Sequence, residues 1–481
     1  MILKELVSGL EIESSKGDLN IEIHDIAYDS RKAKNGSLFV CIEGFTTDGH
    51  KYIPSAINNG TKALLVQKDV EVPEDVTVVK IKDTRYGLAH VSHLFFGKPS
   101  EKFSLIGVTG TKGKTSTTFM IKAILEAAGQ KTGLIGTIHN MIGDEVLYGE
   151  RTTPESHDLQ SLFAQMRDKG VSSVVMEVSS HGLELHRVSC SQYDIGVFTN
   201  LYFDHIGENE LHHSMEDYYK AKAKLFSMCR KGLVNIDSSY GKRLVDDAGC
   251  EVYTYGIESN ADFRATDIKS GTESVEFTVK TPWSSDFIKV GIPGKFNVYN
   301  ALAAIGACCL LNVPMNAIKR GLADIKVPGR LEVVETGRDF TVIVDYAHNA
   351  ASLENLLTTV REFTPGRLVC VFGCGGNRAG RRIPMGEISG RMADFTVITS
   401  DNPRTEDPED IIKEIEEGIR RTNGEYIKII DRYEGIRYAL DNARSGDVIV
   451  IAGKGHETYQ QFKDKTIHFD DREVVREILK R

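Results

Sequence analysis

"GVTGTKGKTSTT", Gly107 to Thr118, decides the fold. It follows the apolar run "FSLIGV" and precedes the helical pattern "TTFMIKAILEAAG", so strand, glycine-rich loop and helix succeed one another. In that order, backbone N–H groups of the loop and of the helix start can cradle phosphates. Gly110, Thr111, Lys112, Gly113, Lys114, Thr115 and Ser116 make up the cradle, with Lys114 reaching the terminal phosphates and the Thr115 hydroxyl placed for Mg²⁺. The strict G-x-x-x-x-G-K-[ST] spacing is not met, because the position five before Gly113 is Val108. The loop is therefore a variant, and its bland alternative is a tight turn that opens a helix.

Working outward, the runs "SSVVMEV", "YDIGVFTN", "TVIVDYAH", "RLVCVFG", "FTVITSD" and "DVIVIAG" recur with helical patterns between several of them. Buried parallel strands with crossover helices, an α/β fold, are expected. At 481 residues the chain exceeds one ordinary core. Breaks in the pattern divide it into 1–100, 101–327 and 328–481.

With 41% hydrophobic and 26% charged residues and no apolar run of bilayer length, the composition is that of a globular protein without membrane insertion. The start "MILKELVSGLEIESSKGDLN" lacks a secretory pattern and reads as mature domain. A net charge of −9 without a basic block argues against nucleic acid as partner. Eight cysteines without C-x-x-C pairing fit reduced thiols in the cytoplasm.

Four positions extend the phosphate site. Glu177 ends the strand of "VVMEVSSH", and Asp204 and His205 follow that of "VFTNLYFDH"; each is either a turn residue or, as part of one group at strand ends, a metal ligand. In "MEDYYKAKAKLF", Tyr218, Lys222, Leu225 and Phe226 share one helical face, whereas Lys220 and Lys224 point elsewhere. Lys222 either snorkels to water or is a partly buried, neutral amine able to combine with CO₂ into a carbamate. Such a carbamate is an anionic oxygen donor for Mg²⁺.

"TGTKGKTS", "TTP", "MEVSSH", "TNLYFDH", "AKAKLF", "GKFNVYNALAA", "VPGRLE", "VDYAH", "GCGGNR", "DNPR" and "GKGHE" occur in an order that resembles the Mur ligases, and the resemblance spans all three sections. It implies an N-terminal domain that holds the uridine part of the substrate, a central P-loop ATPase-like domain and a C-terminal Rossmann-like domain that binds the amino acid. It also implies a reaction in which ATP phosphorylates the free carboxylate of a UDP-muramoyl dipeptide and the amine of an amino acid attacks the acyl phosphate. Lys114, Thr115, Glu177, His205 and carbamylated Lys222 match the family's phosphate and magnesium positions. Ser30, Phe45, Thr46 and Thr47 match the uridine diphosphate site, and Thr152, Thr153, Ser179 and Arg187 the muramoyl dipeptide site. Asn297, Asn300, Arg330, Asp345 and His348 match ATP contacts, although the residues of "FNVYN" by themselves read as a helix opening with an Asn cap. Leu185 stands where the family commonly has Gln, and "DYAHNAASL" lacks the common Pro.

The tetrad "DNPR", Asp401, Asn402, Pro403 and Arg404, reads on its own as a turn, ahead of a helix capped by Asp407. In the family this tetrad resembles that of members adding meso-diaminopimelate, whose distal carboxylate suits a guanidinium fork that repels the ammonium of lysine. Arg378, Gly453 and Glu457 match the remaining contacts to that amino acid. L-lysine or meso-lanthionine as the added amino acid, a folylpolyglutamate-synthase-like ligase, and a P-loop nucleotide switch are the alternatives. A monomer is expected.

Overall fold

The structure, a computed structural model, describes residues 1–44, 47–204, 206–207 and 210–480. The chain forms two compact units, Met1–Ala261 with Ala303–Ile318, and Asp262–Leu302 with Lys319–Arg481.

The first unit begins with a five-stranded sheet in the order Ile12–Lys16, Thr77–Ile81, Ala63–Val66, Ser37–Val40, Asp25–Ala27. All its pairs are parallel except the one made by Ile12–Lys16. The helix Thr84–Phe95 starts where the Asp83 carboxylate accepts from the amides of Arg85 and Tyr86, and it buries Leu88, Ala89 and Val91. Such a cap satisfies amides that have no partner inside the helix.

Six parallel strands follow, in the order Thr132–Ile135, Ser173–Glu177, Ser104–Thr109, Tyr193–Phe198, Cys229–Asn235, Glu251–Gly256. Leu105, Ile106, Val108, Val174, Val175, Val197 and Phe198 are all buried, as strands covered on both faces require. The chain crosses from one side of Ser104–Thr109 to the other between Ser173–Glu177 and Tyr193–Phe198. The loop after that strand therefore lies at a topological switch point, where open α/β sheets take their ligands.

The second unit contains a C-terminal sheet in the order Glu332–Val334, Thr341–Asp345, Val448–Ala452, Leu368–Phe372, Phe395–Ile398, Tyr426–Lys428. Only the Glu332–Val334 edge is antiparallel. The strands Phe263–Ser270, Val275–Lys280 and Ser285–Val290 form an antiparallel meander that the crossover reading did not anticipate. Its middle strand alternates buried and half-buried residues, the period of a sheet covered on one face. Among the described residues, no helix is long and apolar enough to cross a membrane.

Candidate active site

The glycine-rich loop joins the strand Ser104–Thr109 to the helix Lys114–Ala127. Val108 is inside the strand, opposite Glu177 on one side and Val197 on the other, so the position that departs from the common spacing is not in the loop at all. Gly110 has φ +146°, and a Cβ there would lie 1.9 Å from the Thr199 hydroxyl. The Lys114 ammonium donates to the carbonyls of Gly110 and Thr111 at 2.9 and 3.0 Å. The first backbone bond of helical type runs from the Thr117 amide to the Gly113 carbonyl, which leaves the preceding amides at the positive end of the helix.

Two residues that the sequence reading did not single out shape the loop. Asn200 accepts from the Thr111 amide through its carbonyl and from the Lys112 amide through Oδ1, each at 2.9 Å. The Thr199 hydroxyl donates to the Lys112 carbonyl at 2.7 Å. The cue was the "TN" that follows the strand Tyr193–Phe198, since chain leaving a neighbouring parallel strand must pass beside the loop.

Glu177 is buried and joins several expected positions. Its Oε1 accepts from the Thr115 hydroxyl at 3.0 Å and the Thr137 amide at 2.9 Å, and Oε2 from the Thr137 hydroxyl at 3.0 Å. The Thr137 hydroxyl also lies 3.0 Å from that of Thr152. The Thr153 hydroxyl donates to the Glu177 carbonyl at 2.9 Å and accepts from the Ser179 amide at 3.0 Å. Thr115, Thr152, Thr153, Glu177 and Ser179 therefore form one connected network, with Thr137 as a member that the sequence reading missed. The hydroxyl of Thr115 and the carboxylate of Glu177 are hard oxygen donors, a set that suits a Mg²⁺ ion keeping most of its waters.

Lys222 is buried in the helix Met215–Ala223, and Tyr218, Leu225 and Phe226 are buried with it. Lys220 and Lys224 are exposed, as the helical period predicts. The Lys222 ammonium donates to the Gly110 carbonyl at 2.9 Å and sits 4.5 Å from the centre of the Tyr218 ring. Burial pushes its pKa well below the ordinary lysine value, and the charge of Lys114 acts in the same direction. The snorkelling alternative is excluded. His205, Phe45 and Thr46 lie outside the described residues.

Ser30 is buried, and its carbonyl accepts from the Asn59 amide group at 2.9 Å, whereas Thr47 pairs with the Tyr52 hydroxyl at 3.1 Å in an exposed position. Arg187 donates to the Thr153 carbonyl at 3.3 Å. It also faces Glu155, a buried carboxylate whose Oε2 lies 3.4, 3.6 and 3.8 Å from Arg187, Arg151 and Arg85. One carboxylate against three guanidinium groups leaves a net positive site, and neither Arg85 nor Arg151 was expected there. Leu185 is buried and caps the helix Ser180–Glu184.

In the second unit, the Asp345 carboxylate accepts from the amides of Leu331 and Ala347, each at 2.8 Å, and burial raises its pKa. The Arg330 guanidinium lies 4.9 Å from the Tyr346 ring centre, and the rings of His348 and His456 are 4.6 and 4.8 Å from it. Nδ1 of His348 carries the proton donated to the Tyr346 carbonyl at 2.8 Å, because a carbonyl only accepts. Gly329 and Gly455 touch backbone to backbone: a Cβ on Gly329 would lie 2.1 Å from the His456 nitrogen. Asn297 and Asn300 correct the cap reading. Both are within the helix Phe296–Leu310, where the Asn297 amide group reaches back to the Pro293 carbonyl at 2.7 Å and Asn300 donates to the Asn297 Oδ1 at 2.9 Å.

The tetrad follows the strand Phe395–Ile398, with Asp407 capping the helix Pro408–Ile419 as predicted. Asn402 is its hub. It donates to Glu457 at 2.8 Å, and its Oδ1 accepts from the Gln461 amide at 2.9 Å and from Lys454 at 3.3 Å. Lys454, fully buried and also bonded to Glu457 and to the Tyr459 carbonyl, was missed because "GKGHE" reads as a loop. Burial raises the Glu457 pKa against the pull of Lys454. The Gly453 amide donates to the Asp345 carbonyl at 3.1 Å.

Asp401 and Pro403 are buried beside Asn402. Arg404 has φ +55°, donates to the Gly376 carbonyl at 2.9 Å, and lines a cavity of about 320 Å³ with Pro403, Glu406, Phe462 and Lys465. No carboxylate pairs with it among the described residues. Arg378 is exposed at the start of the turn Ala379–Arg381. A larger polar cavity of about 680 Å³, between Glu387, Arg391, Arg421 and Glu425, takes in none of the expected site residues.

Fold and site together define an α/β protein built on a glycine-rich loop at a sheet switch point. Residues 22–94 match the Mur ligase family catalytic domain, 108–308 the Mur ligase middle domain, and 329–455 the Mur ligase glutamate ligase domain. The chain belongs to the Mur ligase family. It is 49% identical over 481 residues, 100% of this chain and 99% of the relative, to the UDP-N-acetylmuramoyl-L-alanyl-D-glutamate--2,6-diaminopimelate ligase of Caldanaerobacter subterraneus subsp. tengcongensis. It is 48% identical to the protein of the same name from Clostridium perfringens, with the same coverage. A solved structure of a ligase of that name matches with a TM-score of 0.76 at 28% identity, over 100% of this chain and 99% of that one. A Mycobacterium tuberculosis folylpolyglutamate synthase complexed with ADP and AMPPCP matches at 0.64 and 17% identity over 83% and 95%, a likeness of fold alone.

Proposed function

We propose that this protein is an ATP-dependent amide ligase that joins meso-2,6-diaminopimelate to UDP-N-acetylmuramoyl-L-alanyl-D-glutamate in peptidoglycan precursor synthesis in the cytoplasm. The observation that carries the reading is the Glu177 network, which links the phosphate loop through Thr115 to Thr152, Thr153 and Ser179, the residues that would hold the acceptor carboxylate. The names of the 49% and 48% identical relatives support the same substrates.

A carboxylate resists attack because it is already anionic and would have to expel oxide or hydroxide. In the proposed reaction its oxygen takes the γ-phosphoryl group and ADP departs. The amine then attacks the acyl carbon, the C–O bond to phosphate breaks, and the nitrogen loses its proton. The protein supplies positioning and charge stabilisation. Lys114 holds the transferring phosphoryl group. Thr115, Glu177, His205 and a carbamate on Lys222 would hold Mg²⁺, which when bound neutralises phosphate charge. Asn297, Asn300, Arg330, Asp345 and His348 receive the nucleotide, and Arg187 the dipeptide. Segments 1–100, 101–327 and 328–481 divide these tasks as uridine, nucleotide and amino-acid domains.

Arg404, Asn402 and Glu457 supply the specificity. A guanidinium that pairs with no carboxylate among the described residues suits the distal carboxylate of diaminopimelate, and the half-buried Glu457 its ammonium. Supplying ATP and the UDP-muramoyl dipeptide with meso-diaminopimelate, L-lysine or meso-lanthionine in parallel tests the reading. ADP release should require both co-substrates and favour diaminopimelate. Preference for lysine would refute the role of Arg404, and ADP release without either co-substrate would refute the ligase.

A further inference from the structure

We propose that Arg432 is a positioning residue for the acceptor amino acid: one buried guanidinium fixes the spacing of the two loops that carry Asp401–Arg404 and Gly453–Glu457. The inference rests on the function proposed above.

Arg432 opens the helix Arg432–Asp441 and is fully buried, so it cannot touch a ligand itself. Its Nε and one terminal nitrogen grip the two oxygens of buried Asp471 at 2.8 and 2.7 Å. Two further bonds go to backbone, to the Ser400 carbonyl at 3.2 Å and the Ala452 carbonyl at 3.1 Å. Those carbonyls immediately precede Asp401 and Gly453.

The strands that lead into the two loops are not neighbours, because Leu368–Phe372 runs between them. Their shared register ends where Phe372 meets Ile398 on one side and Ala452 on the other. Ser400 is already past that ladder, so sheet pairing no longer sets the distance from one loop to the other. Above this level the loops meet through Asn402, which bonds Glu457 and Lys454. Below it, Arg432 is the brace. A buried ion pair contributes little net stability compared with apolar residues of equal volume, whereas a planar fork fixes several acceptors in one plane. A lysine would keep the charge and lose that geometry.

The test compares wild type, Arg432→Lys and Asp471→Asn, each assayed well below its own melting temperature, for the KM values of diaminopimelate, ATP and the UDP-muramoyl dipeptide. A displacement of about 1 Å in a binding group costs up to roughly a hundredfold, so the KM for diaminopimelate should rise roughly tenfold to a hundredfold in Arg432→Lys and less in Asp471→Asn. The other two KM values should stay within about twofold. Asp471→Asn keeps the shape and one acceptor of the pair and guards against failure of the lysine variant to fold. Three KM values that move together, or a lower melting temperature with none moved, would overturn the proposal. If wild type itself shows no diaminopimelate-dependent ADP release, the functional reading falls and this inference with it.

Discussion

The Lys222 ammonium and the Gly110 carbonyl are 2.9 Å apart across 112 residues of sequence, so a helix far along the chain presents its one buried lysine to the turn of the phosphate loop. Lys222→Ala is expected to lose most ligase activity, and added short carboxylates should restore part of it if the working group is a carbamate. Unchanged activity would remove Lys222 from the site.

Glu177 holds Thr115 and Thr137 together, which makes its charge and shape separable. Glu177→Gln should lower kcat roughly 10²–10³-fold, the scale of losing one preorganised electrostatic group, with a smaller effect on the KM for diaminopimelate. Steady-state kinetics with each substrate varied in turn decides this.

Gly110 is constrained by its positive φ and by the Thr199 hydroxyl. Gly110→Ala should cost upwards of about 1 kcal/mol of stability and weaken ATP binding. Thermal denaturation and titration with a non-hydrolysable nucleotide report the two effects, and a variant as stable and as tight as wild type would contradict the close approach.

Arg404→Ala should raise the KM for diaminopimelate roughly tenfold to a hundredfold, the range for a lost charge-assisted pair, and leave that for ATP unchanged. The preference for diaminopimelate over lysine should narrow by a similar factor in competition assays.

Burial lowers the His348 pKa from 6.5, so the folded protein binds this proton less readily than the unfolded chain does. The unfolded state then carries more protons below about 6.5, and stability present above that pH is lost as the pH falls through it. Urea unfolding across this range should show a shallower decline in His348→Gln. An identical slope would mean that His348 does not contribute.

The parallel strands of both units were legible because strands covered on both faces are almost wholly apolar, as in "SSVVMEV" in the first and "DVIVIAG" in the second. Lys222 was legible for a related reason, since Tyr218, Leu225 and Phe226 mark its face at the helical period. Asn200, Lys454 and the arginines around Glu155 were not, because each gains its meaning from a partner brought near only by folding. Asn297 and Asn300 illustrate the opposite error: local chemistry suggested a cap, while the helix already starts at Phe296 and uses them inside it. The meander over 263–290 did carry an alternating signal, partly obscured by the strand Phe263–Ser270, which shifts register between Thr266 and Lys269.

The contact between Gly329 and Gly455 makes "VPGRLE" and "GKGHE" a single part written in two places. A Cβ on Gly455 would also meet Tyr346 at 2.7 Å, so a third motif, "VDYAH", is locked into the same junction. Neither loop is a cassette that could be exchanged alone between relatives with different acceptors. A chimera that imports one without the others would bring together backbones shaped for different neighbours.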